Sequence, residues 1–168
     1  INMEDGSNLL DKIEDFDNME LKDNLLRGIY AYGYEKPSVI QQKGIPALIT
    51  KRDIIAQAQS GTGKTATYSI GVLQNIDENI SETQAIILSH TRELSMQTKN
   101  VITALSNYID LKINLSIGGN NIKDNIKELN ENPHIVIGTP GRVLDMINKK
   151  ALNTRHLKIL VIDEADEM

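Results

Sequence analysis

Two short runs carry residues whose types and spacing could do chemistry. The first is AQSGTGKT, Ala58–Thr65. It follows the apolar run DIIAQA and precedes a helix-like stretch, the setting a phosphate-binding loop requires. Gly61 and Gly63 let successive backbone N–H groups turn inward around a phosphate. The N-terminus of the following helix adds partial positive charge. Lys64 can reach the outer phosphates of a nucleoside triphosphate, and Thr65 can lend a hydroxyl to the shell of a Mg²⁺ ion. The general motif starts with glycine where this chain has Ala58, a departure that is tolerable if that residue keeps a negative φ.

The second run is VIDEAD, Val161–Asp166, an apolar strand that ends in carboxylates. Asp163 suits a Mg²⁺ ion held through water, and Glu164 suits the orientation and deprotonation of an attacking water. Read singly, one run could be a glycine-rich turn without a ligand and the other an acidic loop. Read together they point to an ATPase that uses ATP and Mg²⁺.

These residues need elements to position them. Leu21, Leu25, Ile29 and Tyr32 fall at helical spacing, with Gly33 as a stop. Ser38 can cap a second helix that carries Gln41 and Gln42, and Pro46 is expected to kink it or to end its first part. Strand-length apolar runs follow at 53–58, 84–89, 112–117, 134–138 and 158–163. Helix-length stretches lie between them near 64–76, 91–108, 121–131 and 140–149. Several of the strands are nearly continuous Ile, Val and Leu, as strands buried on both faces are. The alternation predicts an α/β fold, a doubly wound parallel sheet with helices on both faces and right-handed crossovers. Ligands in such sheets bind beyond the carboxyl ends of the strands.

Composition limits the alternatives. The net charge of −5 argues against a generally basic nucleic-acid-coating protein, so any such contact must be local. The acidic segment 1–15 reads as a disordered tail. With no cysteine, disulfides and cysteine metal sites are excluded. His134 and His156 have no metal-like partners nearby in sequence, so no structural metal is expected. No run has the length of a membrane helix. The expectation is a soluble, cytoplasmic protein without membrane contact.

With both runs in view, the chain resembles the DEAD-box family of ATP-dependent RNA helicases. DEAD stands at Asp163–Asp166, and other signatures follow the family order: GYEKPSVIQ (Gly33–Gln41), AQSGTGKT with its alanine included, TREL (Thr91–Leu94), GG (Gly118–Gly119) and TPGR (Thr139–Arg142). Phe16 lies upstream, where the family keeps an isolated aromatic. Within the family the runs look most similar to translation initiation factor four-A and its near relatives. The resemblance spans residue 16 to the end and implies a first RecA-like domain of the phosphate-loop NTPase type.

The resemblance also implies roles. Gln41 would hydrogen-bond the adenine edge, with Phe16 and Tyr34 packed on or near the ring. Ser60, Gly61, Thr62, Gly63, Lys64 and Thr65 would hold the phosphates, and Thr65 and Asp163 would serve Mg²⁺. Lys64, Asp163 and Glu164 would be catalytic, and Asp166 would couple the domain to a second one. Thr91, Arg92, Gly118, Gly119, Thr139, Pro140, Gly141 and Arg142 would bind the RNA backbone. That mode makes physical sense: Pro140 suits a helix start, whose free N–H groups can take a phosphate, and Arg142 adds charge-assisted bonds. Contacts to sugar and phosphate would make binding tolerant of sequence. Implied partners are RNA, a second RecA-like domain of the same protein, and translation initiation scaffold proteins. Other readings are a phosphate-loop enzyme with another substrate, such as a DNA helicase or a small-molecule kinase, and a nucleotide-switched RNA clamp in messenger-RNA surveillance.

Two departures stand out. The family usually reads PTRELA where this chain has HTRELS, with His90 and Ser95 in place of proline and alanine. His90 is expected simply to end a strand; the alternative is an extra, pH-sensitive phosphate contact. The chain also starts at Ile1 and stops at Met168, before a Ser-Ala-Thr segment and the second domain that the family carries. The expectation is a fragment whose sheet lacks a central strand. By itself it would be unstable, or would take a strand from a neighbour.

Overall fold

The structure is a computed structural model and describes residues 2–4, 12–59 and 61–168. The chain forms two compact units, one of the residues up to Asn75 with Ala104–Ile109, the other of Ile76–Thr103 with Asp110–Met168.

The first unit contains β1 (Asn2–Glu4), a 3₁₀ turn at Phe16–Met19, α1 (Asp23–Tyr32), α2 (Val39–Ile49), β2 (Ile55–Gln57) and α3 (Lys64–Asn75). Leu25 and Ile29 are fully buried on α1, as their spacing predicts. Leu21 precedes the helix, and Tyr32 is not a core residue: it is exposed and stacks on Tyr34 at 5.0 Å. Gly33 stops α1 in the left-handed region at φ 102, where its N–H reaches Tyr30 O.

Pro46 does not end α2, which runs on to Ile49. A proline inside a helix orphans the carbonyl four residues back. Here that carbonyl, Gln42 O, accepts the N–H of Ile13 at 3.2 Å, so the defect is repaired by the incoming chain. The crossing of α2 and α3 depends on Gly71, where a Cβ would fall 2.6 Å from Leu48 Cβ. Asn75 Nδ2 then ties the pair by donating to Leu48 O.

The second unit is built on a four-stranded parallel sheet in the order β4-β5-β3-β6. Its strands are β3 (Ala85–Leu88), β4 (Ile113–Ser116), β5 (Ile135–Gly138) and β6 (Ile159–Ile162), each inside a run expected to be a strand. The connections are α4 (Arg92–Leu105), α5 (Ile122–Leu129) and α6 (Pro140–Asn148). The step from β3 to β4 goes one way along the sheet and the next two go the other. Right-handed crossovers therefore put α4 on one face and α5 and α6 on the opposite face. The packing agrees: Ile86 and Val136 share a buried cluster with Leu129 of α5 and with Val143 and Met146 of α6. Each such fully buried aliphatic side chain contributes about 1.5–3 kcal/mol.

The strand before the phosphate loop departs from the expected single sheet. β2 pairs antiparallel with β1, and Ile55 is exposed. Within the segment expected to be a disordered tail, Asn2–Glu4 thus form a strand. At the other end β6 pairs only with β3 among the described residues and exposes Leu160 and Ile162. An edge of this kind offers unpaired backbone groups to another strand.

Candidate functional site

In the first unit the phosphate loop is shaped by its backbone. Gly61 has φ 80 and Gly63 has φ 93, and α3 begins at Lys64. Two left-handed glycines followed by a helix N-terminus form a concave row of N–H donors, which fits a phosphate chain. The loop is braced from within: Thr62 Oγ1 donates to Gln59 O at 2.7 Å, and Thr67 Oγ1 to Gly63 O at 2.8 Å. Ser60 lies outside the described residues.

The loop is also braced by the start of α2. Ser38 Oγ donates to Thr62 O at 3.0 Å, and Gln41 Oε1 accepts the Ser38 N–H at 2.8 Å. Gln41 is 1% exposed, and a Cβ on Gly63 would meet its Nε2 at 2.8 Å. The sequence reading assigned Ser38 a helix cap only; the structure gives it a second task, holding the loop. The aromatic pair divides differently from the expectation of two rings beside a base. Phe16 is 1% exposed, edge-on to Tyr30 at 6.3 Å and tilted against Tyr34 at 6.5 Å, so it presents no open ring face. Tyr34 is half-buried, and that burial together with neighbouring Tyr32 raises its pKa above the ordinary tyrosine value.

In the second unit the expected residues come together through strand register. Leu88, Ser116 and Ile162 each pair directly with the end of a neighbouring strand, through Gly138 or Leu88. The four strands therefore stop level. The loops and helix starts beyond them carry Thr91 and Arg92, Gly118 and Gly119, Thr139–Arg142, and Asp163–Glu164. Asp163 is almost buried and its N–H donates to Leu88 O at 2.9 Å. Glu164 sits in the left-handed region at φ 49, and Asp166 is exposed in the 3₁₀ turn Ala165–Glu167.

Of the residues expected to bind RNA, Arg92 lies against Gly118 and Gly119, while Arg142 is held by residues outside that set. A Cβ on Gly119, at φ 91, would fall 2.7 Å from Arg92 Nη1, so the glycine pair makes room for that guanidinium. Arg142 Nη2 donates to Asn120 O at 2.9 Å and Nη1 to Asn125 Oδ1 at 3.3 Å. Asn125 in turn donates to Ser116 Oγ, Ser116 to Asn114 Oδ1, and Asn114 to Glu128 Oε2. Thr139 and Pro140 start α6, and Gly141 has open space around it. Thr91 Oγ1 caps α4 by accepting the Leu94 N–H at 3.2 Å.

Several of these positions escaped the sequence reading. Asn125 had a signal: Ile122, Asn125, Ile126 and Leu129 share one helical stripe, and a buried amide in an apolar stripe needs partners. Gly138 is also structural, since a Cβ there would lie 2.0 Å from Ser116 O. The departures have places too. Ser95 is fully buried and donates to Thr91 O at 3.1 Å, back along its own helix. His90 lies in a bend two residues past the end of β3, and its Nδ1 lies 3.3 Å from Glu164 Oε2 without the alignment of a hydrogen bond. Among the described residues no group of three or more His, Asp or Glu is placed to hold a metal, and no helix is long and apolar enough to cross a membrane.

The comparisons with known proteins agree with this geometry. The family model described as DEAD/DEAH box helicase matches residues 38–168. The chain is 53% identical to an ATP-dependent RNA helicase eIF4A of Mycosarcoma maydis, over all of this chain and 42% of that protein. It is 57% identical to an ATP-dependent RNA helicase fal1 of Aspergillus fumigatus, over 91% of this chain and 38% of that one. It thus spans about two fifths of the curated relatives it matches. Among solved structures, a DEAD box protein from Methanococcus jannaschii superimposes with a TM-score of 0.90 at 43% identity, covering 94% of this chain and 43% of that one. A Dbp5 variant of S. cerevisiae bound to RNA and ADP BeF3 gives 0.82 at 36% identity, covering 92% and 39%. The chain belongs to the DEAD/DEAH box helicase family.

Proposed function

We propose that the protein containing this chain is an ATP-dependent RNA helicase. One observation carries the reading: the carboxylates suited to hydrolysis and the glycine and arginine loops suited to a sugar-phosphate backbone end the same four level strands. A kinase for small molecules has no use for such a row of backbone-binding loops.

Lys64 and the N–H groups of Gly61–Thr65 bind and orient the phosphates of ATP, and the Gln41 amide serves the adenine edge. Thr65 of the first unit and Asp163 of the second each carry an oxygen suited to Mg²⁺, which when bound would neutralise charge on the transferring phosphoryl group. Glu164 orients the attacking water and takes its proton. Arg92 and Arg142 grip RNA phosphates without reading bases. A second RecA-like domain supplies the arginines that complete hydrolysis, and Asp166 couples to it. Domain closure on ATP then bends the bound strand and opens a short duplex locally.

The finer reading is a role in translation initiation, in the cytoplasm and with initiation scaffold proteins as partners. It is supported by a 53% identity to proteins named eIF4A, although proteins named FAL1 match about as well.

The test is the RNA-stimulated ATPase of the full-length protein. RNA should stimulate turnover and the matching DNA should not. Glu164→Gln should lower kcat by about 10²- to 10⁴-fold, the range of a general base. Equal stimulation by DNA, or unchanged turnover in Glu164→Gln, would overturn the reading. Restoration of cap-dependent translation to a depleted extract checks the finer role, and failure to restore it removes that role alone.

A further inference from the structure

We propose that His90 is a positioning residue for Glu164, with its imidazole Nδ1–H holding carboxylate oxygen Oε2 so that the other oxygen is left for the attacking water. The inference rests on the reading of Glu164 as the base.

Register makes the two side chains neighbours. β3 and β6 are adjacent and parallel, with Leu88 opposite Ile162. His90 and Glu164 each lie two residues beyond that pair. Nδ1 of His90 is buried, makes no hydrogen bond among the described residues, and stands 3.3 Å from Glu164 Oε2. A small rotation of either side chain turns this contact into a charge-assisted hydrogen bond. The glutamate needs such a hold: its backbone is left-handed at φ 49 and ψ 53, a region that a side chain with a Cβ adopts at a cost. The carboxylate is also a third exposed, so nothing in its own burial fixes it.

Arg92, two residues along the chain from His90, is turned onto Gly118 and Gly119. A ring that holds one carboxylate oxygen leaves the other for the water, so loss of the ring lowers turnover without a matching change in RNA affinity.

The experiment measures RNA-stimulated kcat and KM for ATP in the full-length protein, its His90→Asn and His90→Ala variants, and Glu164→Gln. Asparagine places an amide nitrogen near the position of Nδ1. His90→Asn should keep most of the turnover. His90→Ala should lose about tenfold in kcat, the value of one hydrogen bond to a charged group, with KM unchanged. Equal turnover with histidine, asparagine and alanine at position 90, or a loss in His90→Asn equal to that in His90→Ala, would overturn the proposal. Unchanged turnover in Glu164→Gln would instead remove the base reading beneath it.

Discussion

The two units build their binding surfaces from different materials. The phosphate loop of the first unit is a backbone site. Its shape comes from two left-handed glycines and a helix start, and its side chains mostly brace the loop against itself and against Ser38 and Gln41. The strand-end surface of the second unit is a side-chain site. There Arg92 lies on a glycine pair, and Arg142 is one end of a chain that passes through buried Asn125, Ser116 and Asn114 to the exposed carboxylate of Glu128. A backbone site is specified by residues that are permissive or small, so it survives as a short contiguous motif. A side-chain site is specified by partners that come from three or four separate segments, so it is scattered through the sequence.

That difference predicts different kinds of failure. The largest effect is expected at Gly63. Alanine there must adopt φ 93, which costs about 1–2 kcal/mol, and its Cβ would press on Gln41. Gly63→Ala should weaken ATP binding more than tenfold by calorimetry, whereas Gly61→Ala, strained but in open space, should lose less. Equal losses would mean that the contact with Gln41 does not matter and that backbone freedom alone shapes the loop.

An intermediate effect is expected at Asn125. Removing its amide leaves Arg142 with one tether and strips a donor from Ser116, at a cost of about 1–3 kcal/mol for buried groups left unpaired. Asn125→Ala should weaken RNA binding by about tenfold on the same scale while leaving ATP affinity unchanged. A parallel loss of both affinities would break the comparison, because it would show that the two surfaces do not fail independently.

The smallest effect is expected at Tyr30, whose hydroxyl donates to Asp17 Oδ2 at 2.7 Å on an exposed face. That bond, with lesser help from desolvation and the Asp17 and Asp15 charges, raises the tyrosine pKa. The folded state favours the neutral ring, so the stabilisation is complete below the ordinary tyrosine pKa and is lost as pH rises through the raised value. Tyr30→Phe should cost about 0.5 kcal/mol at neutral pH and flatten the alkaline limb of the stability profile in denaturant titrations. An unchanged alkaline limb would assign that limb to other groups.

Much of the fold was legible because periodicity and punctuation are local. All five strand-length runs contain a strand, and Lys64 opens the helix where the loop motif places it. Pro46 does not end its helix, because a local rule takes no account of Ile13, distant in sequence, which satisfies the carbonyl that the proline orphans. Tyr32 ends its helix at Gly33 as the spacing predicts, but that spacing could not show that its ring stacks on Tyr34. The partners of His90 and Asn125 could not be read at all, since they depend on which strand ends lie side by side.

The sequence by itself determined the chemistry on offer: a glycine-shaped phosphate loop, Asp163 and Glu164 directly after a strand, and arginines set at the starts of helices. Those are matters of residue type and short spacing, fixed by covalent order. Only the tertiary structure decided which groups meet. The crossovers bring β6 beside β3 and β4 beside β5, and the level register then sets His90 against Glu164 and ties Arg142 to the network beneath β4. Strand order is a product of packing and handedness, and no short stretch of chain contains it.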